Sequence, residues 1–99
     1  MPTFVLLTRL SPEATRDPKS YDELVENVRA RLRRDCPDVK WLANYWLLGP
    51  YDYMDIYEAP SEEVATKVSA IIRTFGRSTP ETWTAVSFDR FLELVHQLA

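Results

Sequence analysis

The 99-residue sequence contains one cysteine, one histidine and two glycines, and these scarcities exclude several kinds of site. Cys36 has no second cysteine with which to form an internal disulfide, and it cannot build a structural zinc site with one histidine. Two glycines are too few for a glycine-rich loop that cradles phosphates. We therefore expect neither a metal ion nor a bound cofactor.

The sequence also lacks an excess of positive charge and any long hydrophobic run. Twelve basic and fifteen acidic residues give a net charge of −3, which disfavours binding to the phosphates of nucleic acids. No apolar run approaches the roughly 20 residues that span a bilayer, and the first residues do not resemble a signal peptide. These features predict a cytoplasmic protein that binds neither nucleic acid nor membrane.

The composition is that of an ordinary folded domain. Hydrophobic residues make up 45% of the chain and charged residues 27%, as in soluble globular proteins. A chain of this length buries about 65% of its unfolded surface, which is enough to fold without disulfides or metals. We expect one domain over residues 1–99.

Hydrophobic periodicity predicts four strands and three helices. Apolar, β-branched or alternating residues indicate strands at Thr3–Arg9, Trp41–Leu48, Tyr53–Ala59 and about Glu81–Val86. Apolar residues at helical spacing indicate helices from Ser20 to about Asp35, from Ser61 to Gly76 and from Ser87 onward. This order predicts an α+β, ferredoxin-like βαββαβ fold with a four-stranded antiparallel sheet and an extra C-terminal helix.

Local signals mark the ends of these helices. Ser20 with Glu23 is a capping box for the first helix, and Ser61 is the expected N-cap of the second. Four arginines, at 29, 31, 33 and 34, lie near the end of the first helix, where the helix dipole favours positive charge. We interpret them as a solvated helix end, and a patch for an anion or acidic partner is the alternative.

Between the second and third strands, Gly49-Pro50-Tyr51-Asp52 has the composition of a hairpin turn. Proline fixes the backbone angle that a turn needs at its second position, and glycine adopts conformations that other residues avoid. The Asp52 carboxylate is expected to accept backbone N–H groups at this turn rather than to perform chemistry.

The third strand alternates Met54 and Ile56 with Tyr53, Asp55 and Tyr57. We assign the two aliphatic residues to the helix-covered side and the Tyr-Asp-Tyr row to the open side of the sheet. Aromatic residues of the neighbouring strands extend this open face, and the sequence does not fix which of them share its side: Trp41 and Tyr45, or Trp46, from the second strand, and Trp83 from the fourth. A large aromatic face on so small a domain predicts that two sheets pack face to face in a two-fold homodimer.

The candidate ligand-binding residues are those of the predicted open face: Tyr53, Asp55, Tyr57, Tyr45 and Trp83. In this hypothesis the carboxylate acts as a base or anchors a polar group, while the tyrosines donate hydrogen bonds or stack. The alternative is an interface aspartate that tyrosine hydroxyls or an arginine satisfy. His96 lies on the last helix, where a surface or interface role is expected, and the sequence identifies no catalytic residue.

The segment Tyr45-Trp46-Leu47-Leu48-Gly49-Pro50-Tyr51-Asp52, with the strand end Glu58-Ala59-Pro60, resembles the GYD domain family, which is named for its Gly-x-Tyr-Asp turn. The opening residues and Thr82–Val86 match as well, so the resemblance covers nearly the whole chain. It implies a ferredoxin-like protomer in a dimeric α/β barrel. The chain departs from the family at Tyr53, Asp55 and Tyr57, where the third strand is usually aliphatic.

Two functions are compatible with these features. In the first, a homodimer binds a small apolar or aromatic molecule on the open sheet face, with cofactor-free catalysis as a further step. In the second, a non-enzymatic dimer or an effector-sensing module uses the aromatic face only as the core of its interface. The sequence leaves open whether the protein is an enzyme.

Overall fold

The computed structural model describes residues 1–99, in which the elements follow the order strand, helix, strand, strand, helix, strand, helix. The strands are β1 (Thr3–Leu10), β2 (Lys40–Trp46), β3 (Tyr53–Glu58) and β4 (Ser78–Ala85). The helices are α1 (Pro18–Asp35), α2 (Glu62–Thr74) and α3 (Phe88–His96), with a 3-10 turn at Pro12–Thr15. This order confirms the predicted ferredoxin-like fold with an added C-terminal helix.

The four strands form one antiparallel sheet in the order β2-β3-β1-β4. The hydrophobic core lies between this sheet and the helices α1 and α2. Ten buried residues form it: Phe4, Leu6, Leu32, Cys36, Tyr57, Ala59, Ala65, Val68, Ile71 and Ile72. No other element of the chain covers the opposite face of the sheet, which we call the open face.

The helix α1 begins earlier than the capping box at Ser20 and Glu23 predicted. Its N-cap is Asp17, whose side chain accepts a hydrogen bond from the Lys19 N–H at 3.2 Å and another from the Ser20 hydroxyl at 3.0 Å. Pro18 occupies the first helical position, where its missing N–H and fixed φ are favourable. The prediction was therefore wrong because the Asp-Pro pair provides a stronger start three residues upstream.

The boundaries of α2 are as expected. The Ser61 side chain accepts a hydrogen bond from the Val64 N–H at 3.3 Å, which confirms Ser61 as the N-cap. Gly76 follows the helix with φ +72°, a left-handed conformation that glycine adopts without strain. The strand β4 then begins at Ser78, earlier than predicted, and includes Pro80, which an edge strand tolerates.

The two faces of β3 are the reverse of the prediction. Tyr57 lies opposite Phe4, Asp55 opposite Leu6 and Tyr53 opposite Thr8, so all three share the helix-covered face with the core residues of β1. Consequently Met54 and Ile56 belong to the open face. Aromatic packing explains the orientation, since the Tyr57 ring lies 5.5 Å from the Phe4 ring and 4.9 Å from the Trp41 ring.

The helix α3 extends away from the rest of the domain. Every residue from 86 to 99 is exposed, and α3 makes no extensive contact with the sheet or with the other helices. The molecule therefore measures 55 × 30 × 17 Å, with a radius of gyration of 15.3 Å against about 13 Å for a compact domain of this length. None of the three helices combines the length and apolar character that crossing a membrane requires.

Candidate functional site

A cavity of about 540 Å³ lies between α1 and the β2–β3 side of the sheet. Thirteen of its 17 lining residues are hydrophobic. The sheet contributes aromatic rings to it, namely Trp41, Trp46 and Tyr53, and α1 contributes Leu24, Val25 and Val28. We call this space the α1 cavity.

The cavity exists because only one end of the apolar stripe of α1 reaches the core. Leu32, near the C-terminal end of the helix, is 7% exposed and belongs to the core cluster. Tyr21, Leu24 and Val25, nearer the N-terminal end, are only half-buried and line the cavity instead. The same helical periodicity that predicts a core-facing stripe therefore supplies the apolar wall of a pocket.

Asp55 provides the carboxylate of the α1 cavity. Its Oδ1 atom accepts a hydrogen bond from Nδ2 of Asn44, the residue directly opposite on β2, at 2.7 Å. Burial raises the pKa of the Asp55 carboxyl, while the hydrogen bond from Asn44 and the positive charge of Arg29 oppose this shift. The carboxylate thus lies in an apolar cavity with one hydrogen bond, from Asn44, and under the influence of one positive charge, that of Arg29.

The raised pKa of Asp55 predicts that Asp55→Asn stabilises the protein at neutral pH. In the unfolded chain the carboxyl ionises near pH 3.9, whereas the folded protein holds its proton to a higher pH. Ionisation therefore favours the unfolded state, and this group destabilises the fold as the pH rises through that window. Urea unfolding at about pH 3 and about pH 7 measures the free energy of unfolding of the variant and of the wild type. The variant's advantage over the wild type should be larger at pH 7 than at pH 3. A variant that loses stability relative to the wild type as the pH rises would contradict the assignment.

The two predicted site tyrosines on this face have different surroundings. Tyr53 lines the α1 cavity, and its burial raises the pKa of the phenol to about 12. Tyr57 is fully buried in the core, its pKa is also raised to about 12 by burial, and its hydroxyl has no hydrogen-bond partner. Both phenols are therefore neutral at pH 7.

The other two predicted site residues, Tyr45 and Trp83, lie on the open face. Tyr45 is opposite Met54, and Trp83 is opposite Val5. They are 57% and 50% exposed, and neither lines the α1 cavity. The structure therefore divides the five candidate residues between the two sides of the sheet, and the predicted single site on the open face is wrong in its placement of Tyr53, Asp55 and Tyr57.

A polar network borders the open face near Trp83. The Trp83 indole N–H donates a hydrogen bond to Glu81 Oε1 at 2.9 Å, and the Tyr51 hydroxyl donates one to Glu81 Oε2 at 2.6 Å. These two hydrogen bonds lower the pKa of the Glu81 carboxyl. The Arg9 guanidinium lies 5.0 Å from the centre of the Tyr51 ring, and its Nε donates to the Pro50 carbonyl at 2.9 Å.

The Gly-Pro-Tyr-Asp segment is a loop, and hydrogen bonds from Tyr51 and Asp52 join it to β4 and β1. The Asp52 carboxylate accepts a hydrogen bond from the Leu10 N–H at 2.6 Å, and the Asp52 N–H donates to the Thr8 carbonyl at 2.9 Å. Gly49 does not have a positive φ, and a Cβ at that position would meet nothing within 4 Å. Tyr51 and Asp52 therefore hold this loop in place. The backbone at position 49 does not require glycine, and alanine could adopt the same conformation there.

Sequence reasoning missed Asn44, Trp46 and Arg29 as cavity residues. A β-bulge at Leu42 shifts the alternation of β2, so that Trp41, Asn44 and Trp46 all lie on the helix-covered side. The one available signal was Asn44 itself, a polar residue within an apolar run. The sequence does not distinguish Arg29 from the other arginines near the end of α1. Two of those, Arg31 and Arg34, pair with Asp35 and lower the pKa of its carboxyl to about 2.

The lone histidine and the lone cysteine lie outside the cavity. His96 is an exposed residue at the end of α3, and no residue of α3 lines the cavity. Cys36 is 4% exposed at the end of α1, and burial raises the pKa of its thiol. A raised pKa makes a thiol less nucleophilic at neutral pH, as expected for a structural cysteine.

Comparisons with known proteins identify similar chains. The family model described as GYD domain matches residues 4–95. A protein of Thermus thermophilus named glutamine synthetase and cystathionine beta-lyase binding protein is 33% identical over 84 residues, which cover 85% of each chain. The crystal structure of FFRP-DM1 is similar with a TM-score of 0.57 and 22% identity, covering 87% of this chain and 100% of that one. This last similarity concerns the fold alone.

Proposed function

We propose that this chain, which belongs to the GYD domain family, is a homodimeric binding protein that recognises another protein. Its two uncovered apolar surfaces have separate roles in this proposal. The open face of the sheet binds a second copy of the chain, and the apolar stripe of α3 binds the partner protein. The uncovered stripe of α3 is the observation that carries the protein-binding function.

The composition of the open face supports the homodimer. Its centre is apolar, with the half-buried residues Val5 of β1 and Met54 and Ile56 of β3. Trp83, which is half exposed, extends the same surface onto β4. A second copy supplies an identical apolar face, so two-fold packing covers both at once. Exposed apolar surfaces of this kind on soluble proteins commonly mark interaction sites.

The pattern of α3 supports a protein partner with an apolar groove. Phe88, Phe91, Leu92 and Val95 recur at the helical spacing, and all four are between 41% and 61% exposed. The Ser87 side chain accepts a hydrogen bond from the Arg90 N–H at 3.1 Å and so caps the helix, although α3 makes no extensive contact with the rest of its own chain. A helix of this kind binds by laying its apolar face into a groove.

The Thermus thermophilus relative supports recognition of proteins, since its name gives glutamine synthetase and cystathionine beta-lyase as its binding partners. These two enzymes are therefore the first probes for this chain. The wild-type protein is expected to bind at least one of them, taken from its own source organism, in surface plasmon resonance with purified components. Absence of binding to both would overturn the assignment of protein partners by similarity.

Phe91→Glu is expected to abolish most partner binding without dissociating the homodimer. It places a charge at the centre of the α3 stripe, where loss of a buried aromatic anchor weakens binding by roughly thirtyfold or more. Gln97→Glu is the matched control, because it adds the same charge next to α3 away from the stripe. Light scattering on both variants reports the oligomeric state. If Phe91→Glu yields monomers, α3 belongs to the homodimer interface and its proposed partner-binding role is wrong.

A further inference from the structure

The size and lining of the α1 cavity are those of a small-molecule site. Its volume of about 540 Å³ lies within the range of roughly 300–1,000 Å³ that is typical of ligand pockets. Such pockets combine mostly hydrophobic walls with a few polar groups that orient the ligand. Here the walls are 13 hydrophobic residues, and the polar groups include Asn44, Asp55 and Arg29.

The hydrogen bonds of Asp55 leave one acceptor available to a ligand. Asn44 donates to Oδ1, while Oδ2 accepts no hydrogen bond from the protein. Asp55 is half-buried, and Oδ2 is not one of the fully buried polar atoms that lack a partner, so this oxygen is accessible to a molecule in the cavity. A hydroxyl or N–H group that enters the cavity would meet this acceptor.

The charges around the cavity favour an uncharged ligand. Arg29 and Arg33 lie on the exposed side of α1, whereas Asp55 lies on the sheet. A cation attracted to Asp55 meets two arginines at the cavity wall, and an anion attracted to the arginines meets the carboxylate. A neutral molecule that donates one hydrogen bond satisfies Asp55 without either repulsion.

We propose that the α1 cavity binds a small, uncharged aromatic molecule that donates one hydroxyl or N–H hydrogen bond to Asp55. The aromatic body packs against Trp41, Trp46 and Tyr53. All the groups involved belong to one protomer, so this site does not depend on the homodimer or on a protein partner. The inference is therefore independent of the proposed function.

Titration with 2-naphthol, naphthalene, 2-naphthoate and 2-naphthylmethylammonium tests the site and its ligand class. Isothermal calorimetry on the full chain should show saturable 1:1 binding, tightest for 2-naphthol. In Asp55→Asn, the Asn44 side chain can still donate its hydrogen bond to the remaining oxygen at position 55. The new NH₂ group then takes the place of Oδ2, so a donor replaces the free acceptor. The variant is expected to bind 2-naphthol about tenfold more weakly and naphthalene unchanged. Absence of 2-naphthol binding, or tighter binding of either ion, would overturn the proposal.

Two neighbouring residues of β2 locate the bound molecule. Trp46 and Tyr45 are both 57% exposed but lie on opposite sides of the sheet. Trp46→Ala is expected to eliminate 2-naphthol binding, and Tyr45→Ala is expected to retain it. The reverse result would place the ligand on the open face. Tighter 2-naphthol binding by Phe91→Glu would also overturn the proposal, because it would mean that α3 of a second copy fills the cavity.

Discussion

Trp83→Asp is expected to convert the proposed homodimer into a folded monomer. Trp83 is half exposed on the open face and lies opposite Val5 of the central strand. In the proposed two-fold interface an aspartate at this position loses its water and has no partner for its charge. Loss of a large aromatic anchor together with burial of a charge weakens association by about a hundredfold or more.

The fold of the protomer is expected to survive this substitution, because an aspartate at position 83 remains in water in the monomer. Sedimentation equilibrium over a dilution series measures the association, and far-UV circular dichroism measures the fold. Leu48→Asp is the control, since Leu48 is 99% exposed in the loop between β2 and β3. A Trp83→Asp protein that dimerises as tightly as the control would show that the second copy does not bind the open face.

The sequence contains enough information to predict the order of the elements. Each helix has its apolar residues at a spacing of three or four, and each has a side chain or proline that signals an end. The strands are short apolar or alternating runs between such signals. Two strands flank each main helix in this order, which is the order of the ferredoxin-like fold, and the structure confirms that fold.

The orientation of β3 was not predictable in the same way. A period of two separates Met54 and Ile56 from the Tyr-Asp-Tyr row, but it does not say which set faces the helices. The preference for aliphatic residues in a core gave the wrong answer, because Phe4 and Trp41 surround the Tyr57 ring. The central strand β1 offers no correction, since its residues on both faces are apolar, as Phe4 and Val5 illustrate.

The cavity depends on features that local patterns do not encode. The bulge at Leu42 brings Asn44 opposite Asp55, and a bulge is an exception to strand alternation. The distance between α1 and the sheet follows from packing along the whole helix, where Leu32 contacts the core and Leu24 does not. Asp55 was therefore identified as an unusual residue from sequence, but its neighbours and its side of the sheet required the structure.

Tyr57→Ala is expected to have the largest effect on stability of any substitution at the predicted site. Tyr57 is fully buried between Phe4 and Trp41, and truncation of a core aromatic residue lowers the free energy of unfolding by about 3–5 kcal/mol. Domains of this size have a total of roughly 5–15 kcal/mol. Thermal unfolding should show a fall in Tm of about 15–30 °C, or no folded protein.

Tyr57→Phe is expected to behave in the opposite way, and the pair of variants separates the ring from the hydroxyl. The Tyr57 hydroxyl is buried without a hydrogen-bond partner, so phenylalanine keeps the ring contacts and removes an unsatisfied polar group. Stability should stay level or rise by about 1 kcal/mol.

Tyr45→Phe is the control, since it removes an exposed hydroxyl and should change stability by less than about 0.5 kcal/mol. A clear loss of stability in Tyr57→Phe would mean that a buried water or another group satisfies the hydroxyl. Unchanged 2-naphthol binding in this variant would assign Tyr57 to the core rather than to the ligand site, because the residue does not line the α1 cavity.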